Sequence, residues 1–338
     1  MKKILLCFDN STTSFTASAA VLRLAHAFGS AVTGIHAYNA SMHEGAFRIM
    51  EPTLPQQYQN EETLQKQRKL HNKLINVGME KISLSYLKPL EESFYAASIP
   101  FCAKVREGKN YQVINEIISE EEDGDLIVIG STGFNINGSG FVGSVCLRVL
   151  RSNDRDCLVI RKHIDFQKPK FVIGLDGSAS AVYALTRAKM LAEKYGAELH
   201  LVYVFDSTLH KGIFMTLKES LIQKEGFNFN SKEQEKIHDQ FIDKGLMRVG
   251  KLILDRAEKD ILADSASLRV IKKSFEGHLH KKLCDYAAEI QADMIFVGRT
   301  GRHHINGMDI GSVTENTVRF SPCSVYVSKH EEHKGWVL

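Results

Sequence analysis

The 338-residue chain carries one pattern twice. KKILLCFDNSTTS, from Lys2, resembles KPKFVIGLDGSAS, from Lys168; Asp9 aligns with Asp176 and Ser11 with Ser178, both 167 residues apart. DLIVIGSTG from Asp125 matches DMIFVGRTG from Asp293 at an offset of 168. Between them, His71, Leu74-Ile75 and Gly78 recur as His238, Phe241-Ile242 and Gly245, again 167 apart. Matches in register mean a duplication, with halves expected at 1–165 and 166–338. The polar stretch RKHIDFQKP, ending in Pro169, reads as the join.

Each half runs through the same elements. An apolar run ending in Asp (ILLCF; FVIGL) is followed by a small-residue helix pattern closed by Gly29 or Gly196. A second strand follows (AVTGIHAY; ELHLVYVF), then a long insertion and a third strand (IPFCAKV; LRVIKKSF). A helix (NYQVINEII; LHKKLCDYAAEI) leads to the fourth strand (DLIVIG; DMIFVG). A last helix precedes the fifth strand (CLVIR; CSVYVS). Short runs rich in Val, Ile and Phe, alternating with helices, predict an α/β fold: two tandem doubly wound parallel sheets.

The insertions span 41–98 and 206–266 and are helix-rich. In the second, Phe241, Ile242, Leu246, Val249, Leu252 and Ile253 are spaced to give one buried stripe. The plain expectation is a crossover helix packed on the sheet; the sharper one is a lid or a surface for a protein partner.

Composition excludes several classes. Net charge is +3 and no Lys/Arg block stands out, so neither a nucleic acid nor a membrane surface is an expected partner. The apolar run after Lys2-Lys3 stops at Asp9, short of the roughly 7–15 residues of a signal-peptide core. Six scattered cysteines form no CxxC pair and read as small buried hydrophobes in a reducing, cytoplasmic setting. No GxSxG elbow, P-loop or kinase motif occurs, so no catalytic residue is assigned. Paired histidines (His303-His304, His278 with His280, His330 with His333) lack a completing carboxylate or cysteine, so no metal site is assigned.

The chemistry concentrates after the fourth strands. GSTGFNINGSGFVGS (Gly130 to Ser144) and GRTGRHHINGMDIGS (Gly298 to Ser312) both fit G-x2-G-x9-G-[ST]. Glycine supplies only 24 of 338 residues, the usual background, so two such loops at one offset are no accident of composition. Ligands of open parallel sheets sit outside the carboxyl ends of the strands. Glycine lets backbone approach them, and the amides of such a loop and of the following helix N-terminus attract anions. The competing reading is a tight turn with a helix cap and no ligand.

The Asp ending strand one, the glycine loop and the Pro-Cys-Ser-Val of strand five (Pro322 to Val325) together resemble the universal stress protein family, in its ATP-binding branch and tandem form. The resemblance covers both halves apart from the insertions. It implies five strands per half in the order 3-2-1-4-5, and fifth strands paired as an intramolecular pseudo-dimer, with a further homodimer an open alternative. It implies an adenine nucleotide ligand (ATP, ADP or AMP, with Mg2+ accompanying the phosphates) and a role in stress response. Asp9 and Asp176 would sit by the adenosine. Ala37 and Val204 would offer backbone to the adenine edge. Gly130, Gly133, Gly143 and Ser144, and equally Gly298, Gly301, Gly311 and Ser312, would hold ribose and phosphates. The rivals are a nucleotide-free scaffold that binds a protein through its insertions, and a slow ATPase.

The two loops differ. The first has Asn135 and Asn137 and no cation; the second has Arg299, Arg302, His303, His304 and Asp309. Arginine offers paired donors to phosphate, so the second site is expected to suit a triphosphate better. SNDRDC before strand five reads two residues longer than FSPC, which predicts different local geometry there.

Overall fold

The computed structural model describes residues 1–133, 141–207, 212, 231–265, 267–302 and 310–329, without the side chains of residues 44 and 231–243. The chain divides into two compact units, Met1–Lys162 and His163–Leu338.

In the first unit, β1 (Lys3–Cys7) is apolar and buried along nearly its whole length, as a strand covered on both faces must be. It feeds α1 (Thr12–Phe28), whose N-cap Ser11 accepts from the Ser14 amide and which ends at Gly29 with φ 63°. β2 (Ala31–Tyr38) follows, then α2 (Ser41–Met50) and α3 (Glu61–Ala96). β3 (Phe101–Glu107), α4 (Asn110–Glu120), β4 (Leu126–Gly130), α5 (Ser144–Ser152) and β5 (Asp156–Ile160) complete it. The strand order is β3-β2-β1-β4-β5 and every pairing in it is parallel.

The second unit repeats this with β6 (Lys170–Gly174), α6 (Ala179–Tyr195), β7 (Glu198–Phe205), α7 (Ser231–Ile261) and β8 (Val270–Glu276). α8 (Leu279–Glu289), β9 (Met294–Gly298), α9 (Ser312–Phe320) and β10 (Ser324–Ser328) follow. Ser178 caps α6 by accepting from the Ala181 amide, and Gly196 ends it at φ 65°. The order β8-β7-β6-β9-β10 is again all parallel. The order reverses between β6 and β9, so their carboxyl ends open a crevice there.

Three expectations are corrected. The segments entering the fifth strands have equal length: residues 153–155 separate α5 from β5, and residues 321–323 separate α9 from β10. Asp156 pairs with Leu126 as Ser324 pairs with Met294, so the apparent gap came from matching Cys157 to Cys323 rather than to Val325. On α7, Ile253 is buried as expected, but Leu252 is 59% exposed and Val249 only half-buried, while Gly250, Leu254 and Ala257 are buried. α7 packs chiefly on β7 and β8, and that contact selects a face about a quarter turn from the one that strict apolar spacing picks. Cys102 is exposed on β3, an outer strand of its sheet, while the other five cysteines are buried. Among the described residues no helix is long and apolar enough to cross a membrane.

Candidate functional site

A cavity of about 460 Å3 opens at the carboxyl ends of β6 and β9 in the second unit. Five stretches of chain build it. The end of β6 and the start of α6 bring Gly174, Leu175, Asp176, Ser178 and Ala181. β7 brings Val202 to Phe205. α7 and α8 bring Leu246, Leu279 and Leu283. The loop after β9 and the start of α9 bring Gly298, Thr300, Gly301, Arg302 and Gly311 to Thr314. All seven residues expected here from the sequence line it: Asp176, Val204, Gly298, Gly301, Arg302, Gly311 and Ser312.

Local bonds hold the loop in shape. Asp176 Oδ1 accepts from the Ser178 amide at 2.9 Å, and Oδ2 accepts from the Arg302 amide at 3.3 Å. The Gly311 amide donates to Arg299 O at 2.9 Å, which closes the loop onto its own start. Thr314 Oγ1 donates to Gly298 O at 2.6 Å and ties α9 to the end of β9. Gly311 is the N-cap of α9 in extended conformation (φ −69°, ψ 144°), so the first-turn amides that follow lack intrahelical acceptors. Ser312, exposed, stands at that opening.

The lining mixes apolar side chains (Val202, Val204, Leu246, Leu279 and Leu283) with charged ones (Asp176, Asp206 and Arg302) and the amides at the start of α9. Tyr203 also lines it. Its phenol is held above the usual range, by burial first, with Arg302 opposing and Asp176 adding to the shift. Such a site can hold a ligand with a flat apolar part and an anionic part.

Arg299 is corrected as a phosphate donor. Its side chain is only 3% exposed and does not line the cavity, because residue 299 directly follows β9 and is packed inward. His303, His304 and Asp309 lie outside the described residues, as do Asn135 and Asn137 of the first loop.

The first unit shows the same loop closure without the same surroundings. The Gly143 amide donates to Ser131 O at 2.7 Å. Asp9 Oδ1 accepts from the Ser11 amide at 3.1 Å, and Thr13 Oγ1 donates to Thr132 O at 2.6 Å. Gly130 ends β4, Gly143 caps α5, Ser144 begins it, and Ala37 is buried in β2. Gly133 faces Asp9: a Cβ placed on it would stand 3.2 Å from Asp9 Oδ2. Asp9 is exposed where Asp176 is half-buried. A cavity of about 180 Å3 in this unit is lined by Ala40, Ser41, Asn72, Ile75, Asn76 and Glu107, and includes none of the residues expected to bind.

Sequence reasoning missed Tyr203, Leu279, Leu283, Thr300 and Thr314. The apolar spacing of Leu279 and Leu283 on one helix face signals burial, not the edge of a cavity. Thr314 had a readable sign: it stands 168 residues after Cys146, where the first half has no hydroxyl.

Comparison with known proteins decides the family. The model of the universal stress protein family matches residues 1–161 and again residues 169–329. The chain belongs to that family. Universal stress proteins also stand among its relatives in sequence. A Staphylococcus aureus (strain USA300) protein bearing the family name is 29% identical over 161 residues, which is 48% of this chain and 84% of that protein. In structure, a universal stress protein from Archaeoglobus fulgidus DSM 4304 superposes with a TM-score of 0.61 at 20% identity, covering 97% of this chain and 98% of the other. A Pseudomonas aeruginosa UCBPP-PA14 protein bearing the family name gives 0.58 at 14% identity, covering 97% and 93%. These likenesses agree with the tandem α/β architecture.

Proposed function

We propose that the second unit binds an adenine nucleotide and that the protein acts in stress response through the conformation this ligand selects. One observation carries the reading: the four motif residues Gly298, Gly301, Gly311 and Ser312, with Asp176, Val204 and Arg302 expected beside them, line one cavity of about 460 Å3, within the usual range for small-molecule sites of roughly 300–1,000 Å3. The base would lie against Val204 and the leucines, with ribose at Asp176. The phosphates would meet the amides of Gly301 and Ser312 and the guanidinium of Arg302. Mg2+ would enter with the phosphates, coordinated chiefly by their oxygens and by water.

The first unit is proposed as a second, weaker nucleotide site through Asp9, Ala37, Gly130, Gly133, Gly143 and Ser144. The readout is proposed to pass through the second insertion, because α7 supplies Leu246 to the cavity wall. Movement of α7 with ligand would alter what a protein partner meets.

Native mass spectrometry of freshly purified protein, followed by calorimetric titration with ATP, ADP and AMP, tests this. Bound adenine nucleotide, or saturable heat that Gly311→Val removes, supports it. A protein that carries no nucleotide and gives no heat with any of the three contradicts it and favours the scaffold reading.

A further inference from the structure

α3 has two apolar faces, and its sheet uses only one. Leu87, Leu90 and Phe94 are buried, together with Ser83. On the other side Leu70, Leu74, Val77 and Leu84 are 61, 67, 42 and 46% exposed. Leu74 and Ser83 are nine residues apart, half a turn at 100° per residue, so the two sets lie on opposite faces.

The exposed set is not scattered. Leu70, Leu74, Val77, Lys81 and Leu84 follow spacings of 4, 3, 4 and 3, the period of a seam on which a second helix packs. A lysine in one seam position lowers stability but fixes register. The helix beneath is pre-formed. Asn60 caps it through the Thr63 amide at 2.8 Å, and Arg68 holds Glu51 through two bonds of 2.7 and 2.6 Å.

We infer that α3 pairs with α3 of a second copy of this chain, antiparallel, as a short two-helix coiled coil. The flanking charges choose both partner and direction. Lys73 and Glu80 are exposed beside the seam, and neither forms an ion pair among the described residues. With Leu74 packed next to Val77 of the second copy, antiparallel pairing sets Lys73 of each chain opposite Glu80 of the other, so the attraction occurs twice. Parallel pairing would set Lys73 opposite Gly78 and Glu80 opposite Ser85, with no attraction. The surface therefore complements itself in one orientation.

Sedimentation equilibrium of the full chain, from micromolar to near-millimolar concentration, reads this out. The wild type is expected as a reversible monomer–dimer equilibrium, and Leu74→Glu as a monomer with unchanged circular dichroism and Tm. Lys73→Glu alone and Glu80→Lys alone each weaken the dimer several-fold, and the two combined restore it. A wild type that stays monomeric throughout overturns the inference. So does a dimer indifferent to Leu74→Glu, which would place the interface elsewhere. Should Leu74→Glu misfold, the charge exchange remains decisive: failure of the double variant to recover rules out antiparallel self-pairing.

Discussion

Gly301 faces Asp176 so closely that a Cβ at position 301 would stand 2.9 Å from Asp176 Oδ2. The Asp just beyond β6 and the second glycine of the motif after β9 therefore share one small volume. A side chain at 301 would displace the carboxylate and narrow the cavity together. Gly301→Val is expected to weaken ATP binding at least about tenfold, or roughly 1.4 kcal/mol, in calorimetry. Its thermal stability should stay near wild type because Gly301 is exposed.

Thr314 is buried and donates to Gly298 O at 2.6 Å. Thr314→Val keeps the shape and removes the donor, leaving a buried carbonyl without that partner. Urea denaturation should show a loss of about 1–2 kcal/mol. No loss would mean that α9 is held to β9 by packing alone.

Gly250 of α7 lies against the ring of Tyr203: a Cβ there would overlap Tyr203 Cδ1. Gly250→Val must push α7 away from β7, and Leu246, on the same helix, lines the cavity. Overpacking of this kind costs roughly 1–3 kcal/mol, and nucleotide affinity should fall several-fold with it. Unchanged affinity with reduced stability would separate α7 from the ligand.

His36 and His200 are both buried, and burial is the first cause holding each imidazole below its ordinary value of 6.5. His36 Nδ1 lies 2.7 Å from Phe8 O, and His200 Nδ1 lies 2.8 Å from Tyr286 Oη. The folded state thus favours neutral rings, while the unfolded chain takes up protons near 6.5. Their contribution is complete above that pH and is lost as pH falls toward the folded values. Calorimetric Tm should drop between about pH 7.5 and 5.5, before most carboxylates titrate, and drop less in His200→Asn. A Tm flat across that range would refute this.

Much of this architecture is written in the sequence, and the exceptions have physical causes. AVTGIHAY and ELHLVYVF give β2 and β7 without error because both faces of a central parallel strand are buried. Ser11, Ser178, Gly29 and Gly196 mark helix ends because caps are local chemistry. The motif residues of the second unit meet in one cavity because the loop follows a strand whose neighbour carries Asp176. Inward packing of Arg299 and exposure of Leu252 were not legible, since each depends on which neighbour an element meets. The second apolar face of α3 was hidden for the same reason: spacing alone shows apolar residues all round and does not say which side the sheet takes.

The most direct test of the central claim is a crystal structure grown with millimolar ATP. The account predicts density for the base beside Val204 and Leu246, ribose at Asp176, and phosphates against Gly301, Gly311 and Ser312. A cavity holding only water at full resolution, with α7 and the loop unchanged, would contradict it.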